Sequence, residues 1–329
     1  MRAGMLTGVR SVEILDIPNV EVQGSHEVVI RVSYVGLCGT DLELYNGTSN
    51  YLRQGKTKYP HNFGHEWVGT VETPPSGAAE RFYLHQGAIV TGSTMIPCLT
   101  CDACRSGRRN LCRYAGAVAE RIVVPAHVLT VVDGAVNAVP RPEHVLVEPL
   151  ATVLGGVAEA QIKPGDRVLV MGGGTIGSLA ALVLKQYSVD VEVLDPIHKP
   201  HLLGLGIQAF TDLNSNSFHT YDMVYECSGS TSATQNIQTV LKTGGAAVLI
   251  GVPPEDTRVN ISELALRGQR LIGVRHGVDQ YPAAKRFIMK HQVEMQALID
   301  RVFKFDDVKG AFQRLEKERN HPKVVIKID

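Results

Sequence analysis

The sequence predicts a two-domain α/β chain, in which an irregular β-rich barrel is followed by a doubly wound parallel sheet. Three observations lead there. Strand-like runs in the first part are broken repeatedly by glycine and proline. Beyond Pro164-Gly165-Asp166 short apolar strands alternate with helical stretches. A glycine-rich turn, Gly172 to Gly177, sits between an apolar strand and the first of those helices.

In the first part, Val28–Tyr34 and Trp67–Val71 read as strands, with Pro18, Gly24, Gly36, Gly47, Pro60, Gly64, Pro74 and Pro75 as punctuation. In the second, Arg167–Met171 is an apolar strand and Ile176–Tyr187 an apolar-periodic helix. Val189–Leu194, Asp222–Cys227, Ala246–Gly251 and Leu271–Val274 follow as strands. Strand-helix alternation of this kind builds a parallel sheet. Gln280–Val293 reads as a helix leading out of the second domain, and the tail Val324–Ile328 as a strand that rejoins the first. The expected boundaries are residues 1–150 with 276–329 for the first domain and 151–275 for the second.

Composition narrows the function classes. The 329 residues carry 33 Lys plus Arg against 33 Asp plus Glu, so no net charge draws the chain to nucleic acid or an anionic membrane. Hydrophobic residues make up 44% and no apolar run approaches a membrane span. The first ten residues lack a signal-peptide apolar region, so a cytoplasmic protein is expected.

In a reducing compartment, close-set cysteines more often bind metal than form disulfides. Cys98, Cys101, Cys104 and Cys112 lie within fifteen residues, in a segment too polar for a core. Four thiolates close a tetrahedral zinc site and leave no open position, so this one is structural. A second constellation comprises Cys38 in Gly-Leu-Cys-Gly-Thr-Asp, His65-Glu66 after Gly64, and Glu148 before Pro149-Leu150. One thiolate, one imidazole and carboxylates can hold zinc and leave room for a substrate oxygen, which Lewis-acid catalysis requires. Singly, each of these residues is more often structural; their joint presence carries the reading.

Gly172-Gly173-Gly174-Thr175-Ile176-Gly177 matches G-x-G-x-x-G, and its strand-turn-helix context strengthens the match. Gly172 would make the tight turn, Gly174 would let the backbone approach a pyrophosphate, and Gly177 would let helix and strand pack closely. Asp195 follows the next strand, eighteen residues after Gly177. An acid there accepts from ribose hydroxyls and repels a 2′-phosphate, favouring NAD over NADP. His198 and Lys199 nearby pull the other way, and a turn aspartate before Pro196 is the alternative role.

These motifs occur in the order Cys-Gly-Thr-Asp, Gly-His-Glu, the four-cysteine lobe, Glu-Pro-Leu and the glycine fingerprint. Over essentially the whole length, the chain resembles the zinc-containing medium-chain dehydrogenases, in particular the polyol, sorbitol, threonine and glucose dehydrogenase branch. The resemblance implies a GroES-like catalytic barrel with a structural zinc lobe and a Rossmann NAD-binding domain. It makes Cys38 and His65 zinc ligands, with Glu66 third; Glu148 would bind the metal or its water, and the two glutamates can exchange. Asp41 would orient the His65 ring and Thr40 would pass the substrate proton outward. Val252 and Arg275 would lie at the nicotinamide half, where Arg275 is either a substrate-side group or a surface ion-pair partner. Cys227 would border that pocket without a chemical role.

The sequence departs from the family in two places. Glu43 stands where many relatives place a relay histidine; it would relay a proton, bind a substrate hydroxyl, or be a solvated surface carboxylate. Only a few residues separate Cys112 from Ala119, where relatives carry a longer insert. The expected cofactors are NAD, a catalytic zinc and a structural zinc. The expected reaction moves hydride between NAD and a secondary alcohol of a polyol, sugar or cyclitol. An amino alcohol or aminocyclitol is the alternative substrate, a non-catalytic NAD-binding relative the alternative class, and zinc-free reductases do not need the ligand set. Relatives pair the edge strand corresponding to Arg270–Val274, so a homodimer or homotetramer is expected.

Overall fold

The computed structural model describes residues 1–22, 24–74, 84–93, 95–96, 105, 113–114, 116–214, 217–317 and 322–329. The chain divides into two units, Met1–Glu148 with residues 281–317 and Lys323–Asp329, and Pro149–Gln280 with Pro322. Cys98, Cys101, Cys104 and Cys112 lie outside the described residues.

Among the described residues the first unit is built on strands β1 (Arg2–Gly8), β2 (Ser11–Asp16), β3 (Glu27–Leu37), β4 (His61–Asn62), β5 (Glu66–Thr73), β6 (Ile89–Gly92), β7 (Met95–Ile96), β8 (Arg113–Tyr114), β9 (Arg121–Pro125) and β10 (Leu129–Asp133). The second unit contributes β11 (Arg167–Met171), β12 (Asp190–Leu194), β13 (Gln208–Phe210), β14 (Tyr221–Glu226), β15 (Leu241–Leu249) and β16 (Arg270–Gly273). The chain then returns to the first unit as β17 (Ile299–Lys304) and β18 (Lys323–Lys327).

The main sheet of the first unit runs β10-β6-β5-β3-β18-β17, with β9 also on β3. β3 is the hub because it is long and β-branched, and its second half, Val32 to Leu37, is almost wholly buried. It pairs antiparallel with β5, with Gly36 opposite Glu66, and antiparallel with β18, with Leu37 opposite Val324. The tail therefore rejoins the first domain as expected. Phe312, wholly buried, stacks on Tyr45 at 4.5 Å between ring centroids and tilts against Phe63 at 5.1 Å.

The second unit is one parallel sheet, β13-β12-β11-β14-β15-β16. Val168 to Met171 of β11 are fully buried, as a central parallel strand requires. The expected helix 176–187 is observed as an α-helix, Thr175–Leu184, continued by a 3-10 turn, Lys185–Tyr187. The single helix expected over 280–293 is instead two, Tyr281–Lys290 and Gln292–Ala297, because His291 leaves helical geometry and becomes the N-cap of the second.

Phe312→Ala should destabilise the first unit by about 3–5 kcal/mol, since it removes a ring from a closed aromatic cluster. Urea unfolding followed by tryptophan fluorescence reads this directly, because the one tryptophan, Trp67, lies in the same core.

Candidate active site

The last residues of β3 and the first of β5 carry the ligand motifs, and their antiparallel ladder brings them together. Cys38 follows β3 and caps the helix Gly39–Asn46. Its sulfur accepts from the Thr40 amide at 3.2 Å, while Asp41 accepts from the Cys38 amide at 3.0 Å. His65 immediately precedes β5, and its Nδ1 lies 4.0 Å from the Cys38 sulfur. Donor atoms of Cys38, Asp41 and His65 lie within 4.8 Å of one another, as do those of His65, Glu66 and Glu148. Sulfur, imidazole and carboxylate donors so spaced suit zinc, which takes S at about 2.3 Å and N or O at about 2.0–2.2 Å.

Asp41 acts differently from the expectation. Its Oδ1 lies 3.9 Å from His65 Nδ1, too far for a hydrogen bond, and accepts instead from the Gly64 amide at 3.0 Å. With Oδ2 on the Cys38 amide, it ties together the backbone beside both ligands.

Two groups absent from the sequence reading join the site. Lys323, the first residue of β18, is 1% exposed and donates to Glu66 Oε2 at 2.5 Å and to the Leu37 carbonyl at 3.0 Å. Tyr281 is buried, and burial together with the Glu148 charge holds its phenol well above the ordinary range. A lysine opening an apolar tail was the only sequence sign of the first; nothing marked the second. Burial also pushes the Glu66 carboxyl up, with Lys323 opposing and Glu148 reinforcing the shift. Cys38 is raised by burial and then by Asp41, with His65 opposing.

Thr40 and Glu43 sit on the helix Gly39–Asn46, both half-buried, and burial raises the Glu43 carboxyl against the pull of Arg53. Glu148 is buried in the first turn of the helix Val147–Ala160. The 3-10 turn before it, Pro142–Leu146, carries His144, 1% exposed, with Arg141 Nε donating to its Nε2 at 3.3 Å.

The second unit holds the glycine motif. Gly172 has φ 99° and Gly174 is the N-cap of the helix Thr175–Leu184. A Cβ on Gly177 would fall 1.7 Å from the Gly172 carbonyl oxygen, so only glycine fits, whereas one on Gly174 would meet open space. Thr175 donates to the Pro322 carbonyl, and Ile176 is half-buried beside it. Asp195 follows β12, Val252 is exposed beyond β15, and Arg275 is exposed beyond β16. Cys227 directly follows β14, and burial, reinforced by Glu226, raises its thiol well above the usual range.

Residues 24–134 match the alcohol dehydrogenase GroES-like domain, and residues 143–328 match the glucose dehydrogenase C-terminus. A barrel with a thiolate-imidazole-carboxylate cluster, joined to a dinucleotide-type sheet, defines a two-domain dehydrogenase. The chain belongs to the zinc-type medium-chain alcohol and polyol dehydrogenase family. It is 26% identical to D-xylulose reductase A of Aspergillus niger, with 99% of this chain and 96% of that one covered. It is 27% identical to L-threonine 3-dehydrogenase of Anaeromyxobacter dehalogenans (strain 2CP-C), with 94% and 93% covered. Galactitol-1-phosphate dehydrogenase from Escherichia coli shares the fold at TM-score 0.84 and 21% identity, with 100% of each chain covered.

His144 gives the fold a pH dependence. Burial, reinforced by Arg141, lowers its pKa to about 4 from an ordinary 6.5. The unfolded chain therefore takes up a proton that the folded one refuses. The stabilisation is complete above pH 6.5 and is lost as pH falls from 6.5 toward 4, by up to about 3 kcal/mol. Melting curves across that range should show the loss, and His144→Gln should flatten it.

Proposed function

We propose that this chain oxidises a secondary alcohol of a polyol, sugar or cyclitol to the ketone, with NAD as the hydride acceptor. The observation that carries the reading is that two donor sets meet at His65, at one end of the β3–β5 ladder: Cys38, Asp41 and His65 in one, His65, Glu66 and Glu148 in the other. Cys38 and His65 would hold zinc. Because Lys323 already engages Glu66 Oε2, we assign the third ligand to Glu148 and give Glu66 a supporting place beside it. Bound zinc would supply a Lewis acid that makes the substrate hydroxyl acidic, and bound NAD the acceptor that carries the redox chemistry.

The chain's own residues do the rest. Thr40 takes the hydroxyl proton and passes it outward, and half-buried Glu43, whose carboxyl burial raises, receives it or binds a second substrate hydroxyl. Buried Tyr281 keeps its proton and limits water beside Glu148. The open space above Gly174 and the N-terminus of the helix behind it suit a pyrophosphate. Asp195 takes the ribose hydroxyls and favours NAD. Val252 and Arg275 are assigned to the nicotinamide half, with Arg275 toward the substrate.

Cys98, Cys101, Cys104 and Cys112 would hold a second, structural zinc. Among the described residues β16 is the last strand of its sheet, which supports pairing into a homodimer or homotetramer. No described helix is long and apolar enough to cross a membrane, and we assign the chain to the cytoplasm. The threonine-acting relative supports an amino alcohol as the second substrate class.

The test couples metal content to NAD reduction across polyols, aldoses, cyclitols and amino alcohols. Wild type should carry two zinc ions per chain and turn over one hydroxyl class. Cys38→Ser and His65→Asn should each lose one zinc and at least about 1000-fold in turnover, as expected when Lewis-acid stabilisation of several kcal/mol goes. Near-normal turnover in either variant would sink the mechanism. A single zinc with no turnover on any substrate would favour a non-catalytic NAD-binding protein.

A further inference from the structure

The turn that follows β14 is built on its own buried carboxylate. Glu226, the last residue of β14, is 1% exposed. Its Oε1 accepts from the Ser228 amide at 2.9 Å, the Ser228 hydroxyl at 2.5 Å and the Gly229 amide at 3.1 Å. The Ser228 oxygen in turn accepts from the Ser230 amide at 3.0 Å. Burial pushes the Glu226 carboxyl up, and the bonds from Ser228 and Gly229 pull it back toward the charged form. The turn also lies against both of its neighbours. A Cβ on Gly172 would fall 2.8 Å from Ser228 Cβ, and the Cys227 amide donates to the Met171 carbonyl at 2.9 Å. On the other side the Glu226 carbonyl accepts from the Gly251 amide at 2.9 Å, and a Cβ on Gly251 would lie 2.3 Å from Glu226 Oε2. A Cβ on Gly229 would meet the Val252 carbonyl oxygen at 3.0 Å. The turns that leave β11, β14 and β15 are therefore packed together around one carboxylate.

We infer that Glu226 is a positioning residue for the nicotinamide half of the dinucleotide: by folding the Cys227-Ser228-Gly229 turn onto Gly172 and Gly251, it sets the wall of the cofactor crevice on the β14 side. The inference rests on the dehydrogenase reading and deepens it. From β11 the chain runs outward to β12 and β13, then returns to the other side of β11 as β14, β15 and β16. The order of strands thus reverses between β11 and β14, and open α/β sheets bind their ligands outside the strand ends at such a point. Asp195 follows β12, so the adenosine end lies on that side of β11, and the other end of the dinucleotide extends toward β14 and β15. Glu226, buried beneath the turn, acts on that end through Ser228 and Gly229. A buried carboxylate is costly unless it is hydrogen-bonded, and an apolar residue would end a buried strand at lower cost. Glutamine has the same shape but cannot do the same work. Oε1 faces the Ser228 and Gly229 amides, and Oε2 faces the Gly229 amide at 3.3 Å. In either orientation a glutamine NH2 would meet at least one backbone N–H, donor against donor, and the turn would open.

The experiment is a calorimetric titration of the zinc-loaded protein with NADH and, separately, with ADP, which carries only the adenosine and the two phosphates. It reads binding and is independent of turnover. Wild type should bind both. Glu226→Gln should weaken NADH by at least about tenfold, the scale of a lost hydrogen bond to a charged group, while leaving ADP within about twofold. Ser228→Ala removes only the hydroxyl. It should weaken NADH by at least about fivefold, again with ADP within about twofold, and it decides the question should Glu226→Gln fold poorly. If the variants weaken NADH and ADP equally, or weaken neither, the carboxylate serves only the folding of its own turn. The inference is then wrong while the dehydrogenase reading stands. If wild type binds neither nucleotide, that reading falls and the inference falls with it.

Discussion

The buried pair of Lys323 and Glu66 is the interaction on which the first unit's site depends. The two side chains are 1% and 3% exposed and meet at 2.5 Å, with the lysine also on the Leu37 carbonyl. They come from β18 and β5, the two strands that flank β3. The pair thus spans the central strand at the point where β3 ends and Cys38 begins. It also explains Gly36: a Cβ there would fall 2.4 Å from Glu66 Oε2 and 3.2 Å from Lys323 Cδ, so the strand between the two charges must be bare. A buried carboxylate without a partner is costly, and this one has a second carboxylate, Glu148, beside it. The lysine offsets part of that negative charge, and a divalent cation would offset more.

From that anchor the rest follows locally. The β3–β5 register sets Gly36 opposite Glu66, which places Cys38 and His65 at the same end of the ladder. Asp41 then binds the amides of Cys38 and Gly64, fixing the backbone before each ligand motif can wander. The second unit uses the same device, with Asp195 holding the Gly173 amide and Lys199 holding Asp195. In each unit a carboxylate accepts from backbone amides of the turn that carries the chemistry.

Much of this was legible in the sequence, for physical reasons. Strands such as Arg167–Met171 announce themselves because a central parallel strand must be apolar on both faces. Gly177 was legible because no other residue fits against the Gly172 carbonyl. Cys38, His65, Glu66 and Glu148 stood out by chemical type and order. What was hidden was pairing at long range. Lys323 and Glu66 are 257 residues apart, and no local pattern couples them. Tyr281 begins a helix whose periodicity speaks only of a core face. Asp41 was expected to serve the histidine ring, but the geometry that sends it to Gly64 depends on how two strands meet. The break at His291 was missed because periodicity continues through it.

The most direct test of this account is a double-mutant cycle on Lys323→Met and Glu66→Gln, read by urea unfolding. Each single change strands a buried group and should cost about 3–5 kcal/mol, while the double variant should cost well below the sum, with a coupling of at least about 1.5 kcal/mol. Additive effects, or a Lys323→Met variant as stable as wild type, would contradict the claim that this pair holds the site together.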